Sequence, residues 1–223
     1  MIYGVFSRTA GAVLRLLLRP RVEGRENVPA RGPFILAANH LSFVDSFALS
    51  PVVGRRVAYL TRAEYFELPG PAGRAVRWAL VRLGNVPIRR GPTRAAVRAL
   101  ERIAVNLDEG RGVGIYPEGS RSPDGRLYRG RTGVGWLALE TGARVLPVAL
   151  EGTEKIQPLG ASLPRVFGPR PTVRIGPPMD FSHYRDMPPA KARRLIADEI
   201  IETIQKMSGQ EYVPEYNGRA EAS

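Results

Sequence analysis

The stretch "NHLSFVD", Asn39 to Asp45, sets a histidine five residues ahead of an aspartate, directly after an apolar run. Two readings follow. Ser42 to Asp45 fits the S-x-x-D pattern of a helix start, in which Ser42 caps the helix and Asp45 reaches back to the cap's N–H. Alternatively, His40 and Asp45 form a dyad. Five positions apart on one helix, two side chains point about 140° apart and pair poorly. A His40 placed in the turn before the helix escapes that limit, and its ring can fold back onto the first helical turn. Asp45 would then hold one imidazole N–H and leave the other nitrogen as a general base. The two roles are compatible, because a carboxylate has two oxygens.

Two further polar clusters carry matching chemistry. "PEGSRS" (Pro117 to Ser122) offers Glu118, Gly119, Ser120 and Arg121, and "RRG" (Arg89 to Gly91) offers Arg90. Paired guanidinium groups suit the oxygens of a phosphate. A solvated surface role for Arg90 and Arg121, and a plain turn at Glu118 and Ser120, are the competing readings. His183 lies in a polar loop with no partner pattern and reads as solvated. No metal-ligand spacing is visible.

The elements that must position these groups are legible as apolar runs. "PFILAAN" (33–39) is continuous, as in a strand buried on both faces. "RVAYLT" (56–61), "VPI" (86–88), "GVGIYP" (112–117) and "VLPVAL" (145–150) read the same way, and "TVRIG" (172–176) alternates more. Helices are expected over 42–53, 72–83, 93–108, 132–141 and about 189–207. Strands alternating with helices predict an α/β fold with a mostly parallel β-sheet flanked by helices. In such sheets ligands bind outside the carboxyl ends of the strands. The three polar clusters each follow a strand, so His40, Asp45, Arg90, Glu118 and Arg121 are expected to face one cleft.

Residues 1–20 read as an N-terminal amphipathic helix. Arg8, Arg15 and Arg19 fall on one stripe opposite Ile2, Phe6, Ala10, Val13 and Leu17, and Pro20 ends the pattern. It fits either a membrane-surface anchor or an ordinary packed helix. Residues 21–207 form the main domain. The tail 208–223 has no periodic apolar face and is expected to be flexible.

Composition narrows the partners. The chain of 223 residues has no cysteine, which excludes disulfides and acyl-cysteine chemistry. The formal net charge is +12, and of 33 basic residues only Lys155, Lys191 and Lys206 are lysines. Arginine-favouring codons or an anionic partner explain this equally. No recognition helix, RNP motif or zinc knuckle is present, so nucleic acid is not expected as a partner. No apolar window reaches the length of a membrane span. Nothing in the sequence fixes an oligomeric state.

The motifs resemble those of the glycerolipid acyltransferases, a family typified by bacterial 1-acylglycerol-3-phosphate acyltransferase. "NHLSFVD" fits their N-H-x4-D motif, and "GNVPIRRG" resembles the second block, with Arg90 at its arginine position. "YPEGSRS" resembles E-G-[ST]-R, with Ser120 where threonine is commoner. "VLPVALEGT" resembles the fourth block, centred on Pro147. Departures are Pro87, where many members carry an aromatic residue, and the additional charge of Arg89.

The resemblance implies transfer of an acyl group from acyl-CoA or acyl carrier protein to a hydroxyl of a lysophospholipid, lysophosphatidic acid above all, with no cofactor. It makes His40 and Asp45 catalytic, and Arg90, Glu118, Gly119, Ser120, Arg121 and Pro147 substrate-binding. Another lysophospholipid, a glycolipid or glycerol 3-phosphate are alternative acceptors. An anionic membrane surface, at the cytoplasmic face of the cell membrane, is the expected setting. The residues agree. A base is present, and without a cysteine or a G-x-S-x-G elbow, direct attack in a ternary complex is the simpler route. A non-catalytic basic binding protein is the reading from another class.

Overall fold

The computed structural model describes residues 18–89, 93–161, 165 and 169–218. Its centre is β2 (Phe34–Ala38), in which every side chain is buried. Alternation sends Phe34, Leu36 and Ala38 into one apolar core and Ile35 and Ala37 into the other. A strand with two buried faces has no polar positions, and this is why "FILAA" reads as a continuous run.

Seven strands form the sheet, in the order β1-β8-β7-β2-β5-β3-β4. The others are β1 (Arg21–Glu23), β3 (Val57–Arg62), β4 (Val86–Ile88), β5 (Gly112–Ile115), β7 (Arg144–Glu151) and β8 (Thr172–Ile175). All pairings are parallel except β7 with β8. The expected mostly parallel α/β sheet is therefore present.

The helices are α1 (Asp45–Val53), α2 (Gly70–Leu83), α3 (Thr93–Asp108), α4 (Gly133–Thr141), the single turn α5 (Thr153–Ile156) and α6 (Pro189–Ser208). Leu49, Val52 and Val53 of α1 close one face of the sheet. Ile103 of α3, Leu137 of α4 and Ile196, Ile200 and Ile204 of α6 close the other. α2 is different: of its 14 residues only Gly73 is buried.

From β2 the chain crosses to β3 on one side. From β5, beside β2, it crosses to β7 on β2's other side. The reversal of direction between β2 and β5 opens a crevice at their carboxyl ends.

One expectation is corrected. The tail is not loose as far as residue 218: β9 (Tyr212–Val213) pairs in parallel with β6 (Leu127–Tyr128), and Asn217 is buried. Its polar side chains, not a periodic apolar face, hold it down. Pro147 lies inside β7, opposite Ala37 of β2, within the strand expected over 145–150. Its carbonyl accepts from Gly176 N–H at 2.8 Å, and its ring lacks an N–H to return. The regular β7–β8 register stops there, at Val148 and Ile175. Of the amphipathic helix expected over residues 1–20, residues 1–17 lie outside the described residues.

Candidate active site

Register brings the first and third motifs together. Ala37 of β2 pairs with Ile115 of β5. His40 and Glu118, each three positions further on, therefore emerge side by side. The main chain of His40 is held at both ends: its N–H donates to Glu118 Oε1 at 2.9 Å, and its carbonyl accepts from Ser122 N–H at 2.7 Å.

Asp45 is fully buried at the start of α1. Its Oδ2 accepts from His40 Nδ1 at 2.7 Å, Leu41 N–H at 2.8 Å and Ser42 N–H at 2.9 Å. Oδ2 faces two main-chain N–H donors as well as the ring, so it serves as an acceptor throughout and the ring nitrogen against it, Nδ1, is assigned the proton. Nε2, on a ring one-fifth exposed, is left with an acceptor lone pair. Dyad and helix start thus coexist, but on one oxygen where two were expected. Asp45 Oδ1 is buried with no hydrogen-bond partner. Ser42 completes only half of a capping box: its N–H donates to Asp45, but its hydroxyl, which donates to the carbonyl of Gln157 at 2.8 Å, accepts from Val44 N–H at 3.4 Å and not from Asp45 N–H. The helix accordingly begins at Asp45, three residues later than expected.

The imidazole rests on Tyr116. The two rings stack with centroids 3.9 Å apart and planes 12° from parallel. Tyr116 is fixed in turn by a hydrogen bond of 2.7 Å between its hydroxyl and Ser46 Oγ on α1. Burial pushes its pKa well above the ordinary tyrosine value, so it stays neutral. Gly114, two positions back on β5, leaves room for the Tyr59 ring, which a Cβ would meet at 2.1 Å.

Glu118 is also fully buried, with its second oxygen accepting from Tyr128 N–H at 2.9 Å. Both oxygens are committed to backbone amides. Glu118 therefore ties the β2 loop to the β5 loop and β6, and makes no ion pair with Arg121. Desolvation raises its pKa to about 8, against the two amide bonds, which favour the charged form. Gly119 takes φ 78°, and a Cβ there would lie 3.0 Å from the Arg131 side chain. Only glycine turns this corner without strain. Ser120 Oγ is buried and unpartnered. The Arg121 carbonyl accepts from Asn217 Nδ2 at 3.0 Å. Its guanidinium, half-exposed, has no hydrogen bond or ion pair among the described residues.

Pro147 is not brought to this point: it lies three residues before Leu150, about 10 Å down the strand. Arg90 lies outside the described residues.

Asn39, quoted in the motif but given no role, is a positioning residue. Its Oδ1 accepts from Leu150 N–H at 2.7 Å, and its Nδ2 donates to the Leu150 carbonyl at 2.9 Å. It thereby bolts the end of β2 to β7 just before His40. The same Nδ2 donates to Gln210 Oε1 at 2.7 Å. Among the described residues no group of three or more histidines and carboxylates could hold a metal.

A family model described as Acyltransferase matches residues 19–151, more than half of the chain and all of these loops. The chain belongs to this acyltransferase family. Among its relatives, a chloroplastic 1-acyl-sn-glycerol-3-phosphate acyltransferase of Arabidopsis thaliana is 36% identical over 141 residues, which is 63% of this chain and 38% of that protein. The 1-acyl-sn-glycerol-3-phosphate acyltransferase of Borreliella burgdorferi is 29% identical over 132 residues, 59% of this chain and 51% of the relative. A lyso-ornithine lipid O-acyltransferase of Rhizobium meliloti is 30% identical over 158 residues, 70% and 49% of the two chains. The chain thus spans from under two fifths to about half the length of these curated relatives.

The crystal structure of the 1-acyl-sn-glycerophosphate acyltransferase PlsC from Thermotoga maritima superposes with a TM-score of 0.68 at 27% identity, covering 90% of this chain and 77% of that one. The acyltransferase match ends at the close of β7, so the segment 209–218 that reaches Asn39 and Arg121 lies beyond it.

Proposed function

We propose that the chain moves a fatty acyl group from a thioester, acyl-CoA or acyl carrier protein, to the free hydroxyl of lysophosphatidic acid. The observation that carries this reading is the His40–Asp45 pair, pinned through its main chain to a loop whose Arg121 guanidinium has no partner among the described residues. His40 Nε2 removes the hydroxyl proton as the oxygen attacks the thioester carbonyl. The C–O bond forms, a tetrahedral oxyanion develops, and Asp45 stabilises the imidazolium. When the C–S bond breaks, the imidazolium returns the proton to the departing sulfur. With no cysteine in the chain, no thioester acyl-enzyme forms, and attack within a ternary complex supplies the rate through proximity.

Arg121 is assigned to the acceptor's phosphate, because a guanidinium fork fits phosphate oxygens and an ammonium does so less well. Arg90 takes the same role by its place in the second motif. No described helix is long and apolar enough to cross a membrane. The setting proposed is peripheral, on the cytoplasmic face of the cell membrane.

The test is a matrix of donors and acceptors with the purified chain. Lysophosphatidic acid should be the best acceptor. Arg121→Lys should raise the KM for that acceptor about tenfold or more and leave the donor's KM nearly unchanged. A rise in the donor's KM alone would reverse the assignment. Preference for a phosphate-free acceptor would place the chain's activity beside that of its lyso-ornithine lipid relative.

A further inference from the structure

Helix α2 has almost no partner among the described residues. A 14-residue helix is about 21 Å long and marginal in water unless one face is packed. Here only Gly73 is buried, with Ala79 and Leu80 half-covered. The outward face carries Trp78, 51% exposed, and Val81, 58% exposed, between Arg74 and Arg82. The Arg82 guanidinium lies over the Trp78 ring at 5.4 Å. Arg74 and Arg77 make no ion pair among the described residues. Large apolar side chains alternating with arginines are what a helix lying in a lipid interface presents. The indole sits at headgroup level, and arginine stems cover apolar surface while their heads reach phosphates.

Charge identifies the occupant. From Leu68 to Leu100 the sequence holds seven arginines and neither aspartate nor glutamate. That acid-free stretch spans α2, β4 and the first half of α3, where Val97 is also exposed. Since β4 is the edge strand, the charge is gathered at one margin of the sheet. An anionic bilayer complements both the charge and the apolar side chains; a neutral protein surface would meet only the second.

The same margin leads to the site. Before α2, Leu68 is exposed, and Tyr65 packs against Phe43 with ring centroids 5.5 Å apart. Phe43 and its neighbour Phe47 are exposed in turn, three and seven residues from His40. We infer that α2 is an in-plane lipid-binding helix that seats the β4 margin on an anionic bilayer, with Leu68, Phe43 and Phe47 between that contact and His40. This surface lies apart in sequence from the expected helix over residues 1–20. It rests on the proposed lipid-acylating function for its purpose, but not for its evidence.

The test is partition of the full chain onto sucrose-loaded vesicles of phosphatidylcholine alone and with 30% phosphatidylglycerol. Trp78 fluorescence is read in a Trp136→Phe background, since Trp78 and Trp136 are the two tryptophans. Anionic vesicles should shift the Trp78 emission to the blue and bind the chain at least about tenfold more tightly than neutral ones at low salt, less so as salt rises. Arg74→Gln, Arg77→Gln and Arg82→Gln together should lower partition on the order of a hundredfold. Trp78→Ala with Val81→Ser, both at exposed positions, should lower it about tenfold. Circular dichroism matching the parent chain establishes that the variants fold. Unshifted emission, or equal partition by parent and both variants, overturns the inference. So does a concentration-dependent dimer that Trp78→Ala with Val81→Ser abolishes while vesicle binding stands, because the face would then be occupied by a second copy. Vesicle binding without acyl transfer to any acceptor would instead remove the proposed function and leave the surface.

Discussion

Asp45→Asn separates the chemistry of the dyad from its architecture. In the native site Oδ2 accepts three hydrogen bonds and Oδ1 none. Asparagine can therefore keep its amide oxygen on His40 Nδ1, Leu41 N–H and Ser42 N–H, and turn its NH2 into the vacant Oδ1 place. The fold loses charge assistance on two backbone bonds and gains one buried, unpaired amide donor. Together these cost about 1–3 kcal/mol. The imidazolium that forms during reaction loses far more. A unit charge about 4 Å from a carboxylate is stabilised by about 4 kcal/mol at an effective dielectric of 20. That corresponds to about a thousandfold in kcat, within the range of general-base contributions. Asp45→Ala removes the acceptor from all three donors and should cost more stability than Asp45→Asn for a similar loss of rate. The assays are initial rates at saturating donor and acceptor, with thermal unfolding of the same samples. A kcat within a few-fold of the parent for Asp45→Asn, with lowered Tm, would leave Asp45 as a helix-start residue only. His40→Ala, which removes the base itself, should abolish turnover in either case.

Two further outcomes follow from the loop. Glu118 has a folded pKa near 8 against an ordinary value of 4.5, so the folded state holds the proton more tightly than the unfolded chain. Its contribution to stability is then complete below about pH 4.5 and is lost as pH rises through 8; the parent's Tm should fall across that window relative to Glu118→Gln, and parallel curves would refute the shift. Asn217→Ala deprives the Arg121 carbonyl of a donor; it should cost about 1 kcal/mol and raise the acceptor's KM a few-fold with the donor's KM steady, whereas equal changes in both would make Asn217 purely structural.

What the sequence made legible was whatever leaves a periodic or chemical trace. β2, β5 and β7 are buried runs followed by polar residues, and their neighbours could be aligned from that pattern alone. Of the four two- or three-residue strands, all too short to show a period, β4 is legible as the apolar run "VPI", whereas β1, β6 and β9 leave no trace in the sequence. Tyr116 follows β5 without a break in the apolar run, so its service as the floor under His40 was hidden by its resemblance to core. Glu118 looked like a group facing substrate, but burial turned it toward two amides. Gln210 reaches Asn39 across 171 positions and Asn217 reaches Arg121 across 96, distances over which a local pattern carries no information.

Those last contacts have a consequence for how the site comes into being. Asn39 and Gln210 are separated by 171 positions. During vectorial synthesis the loop bearing His40 emerges long before the residue that secures Asn39 from the far side. Closing so long a loop carries an entropic cost that only docked elements can offset, so this clasp forms after the sheet. Until then Asn39 has Leu150 alone, and Arg121 hangs from a loop with no anchor at its carbonyl. The fold can thus precede its own competence: a partly made chain would carry the base without the geometry to use it.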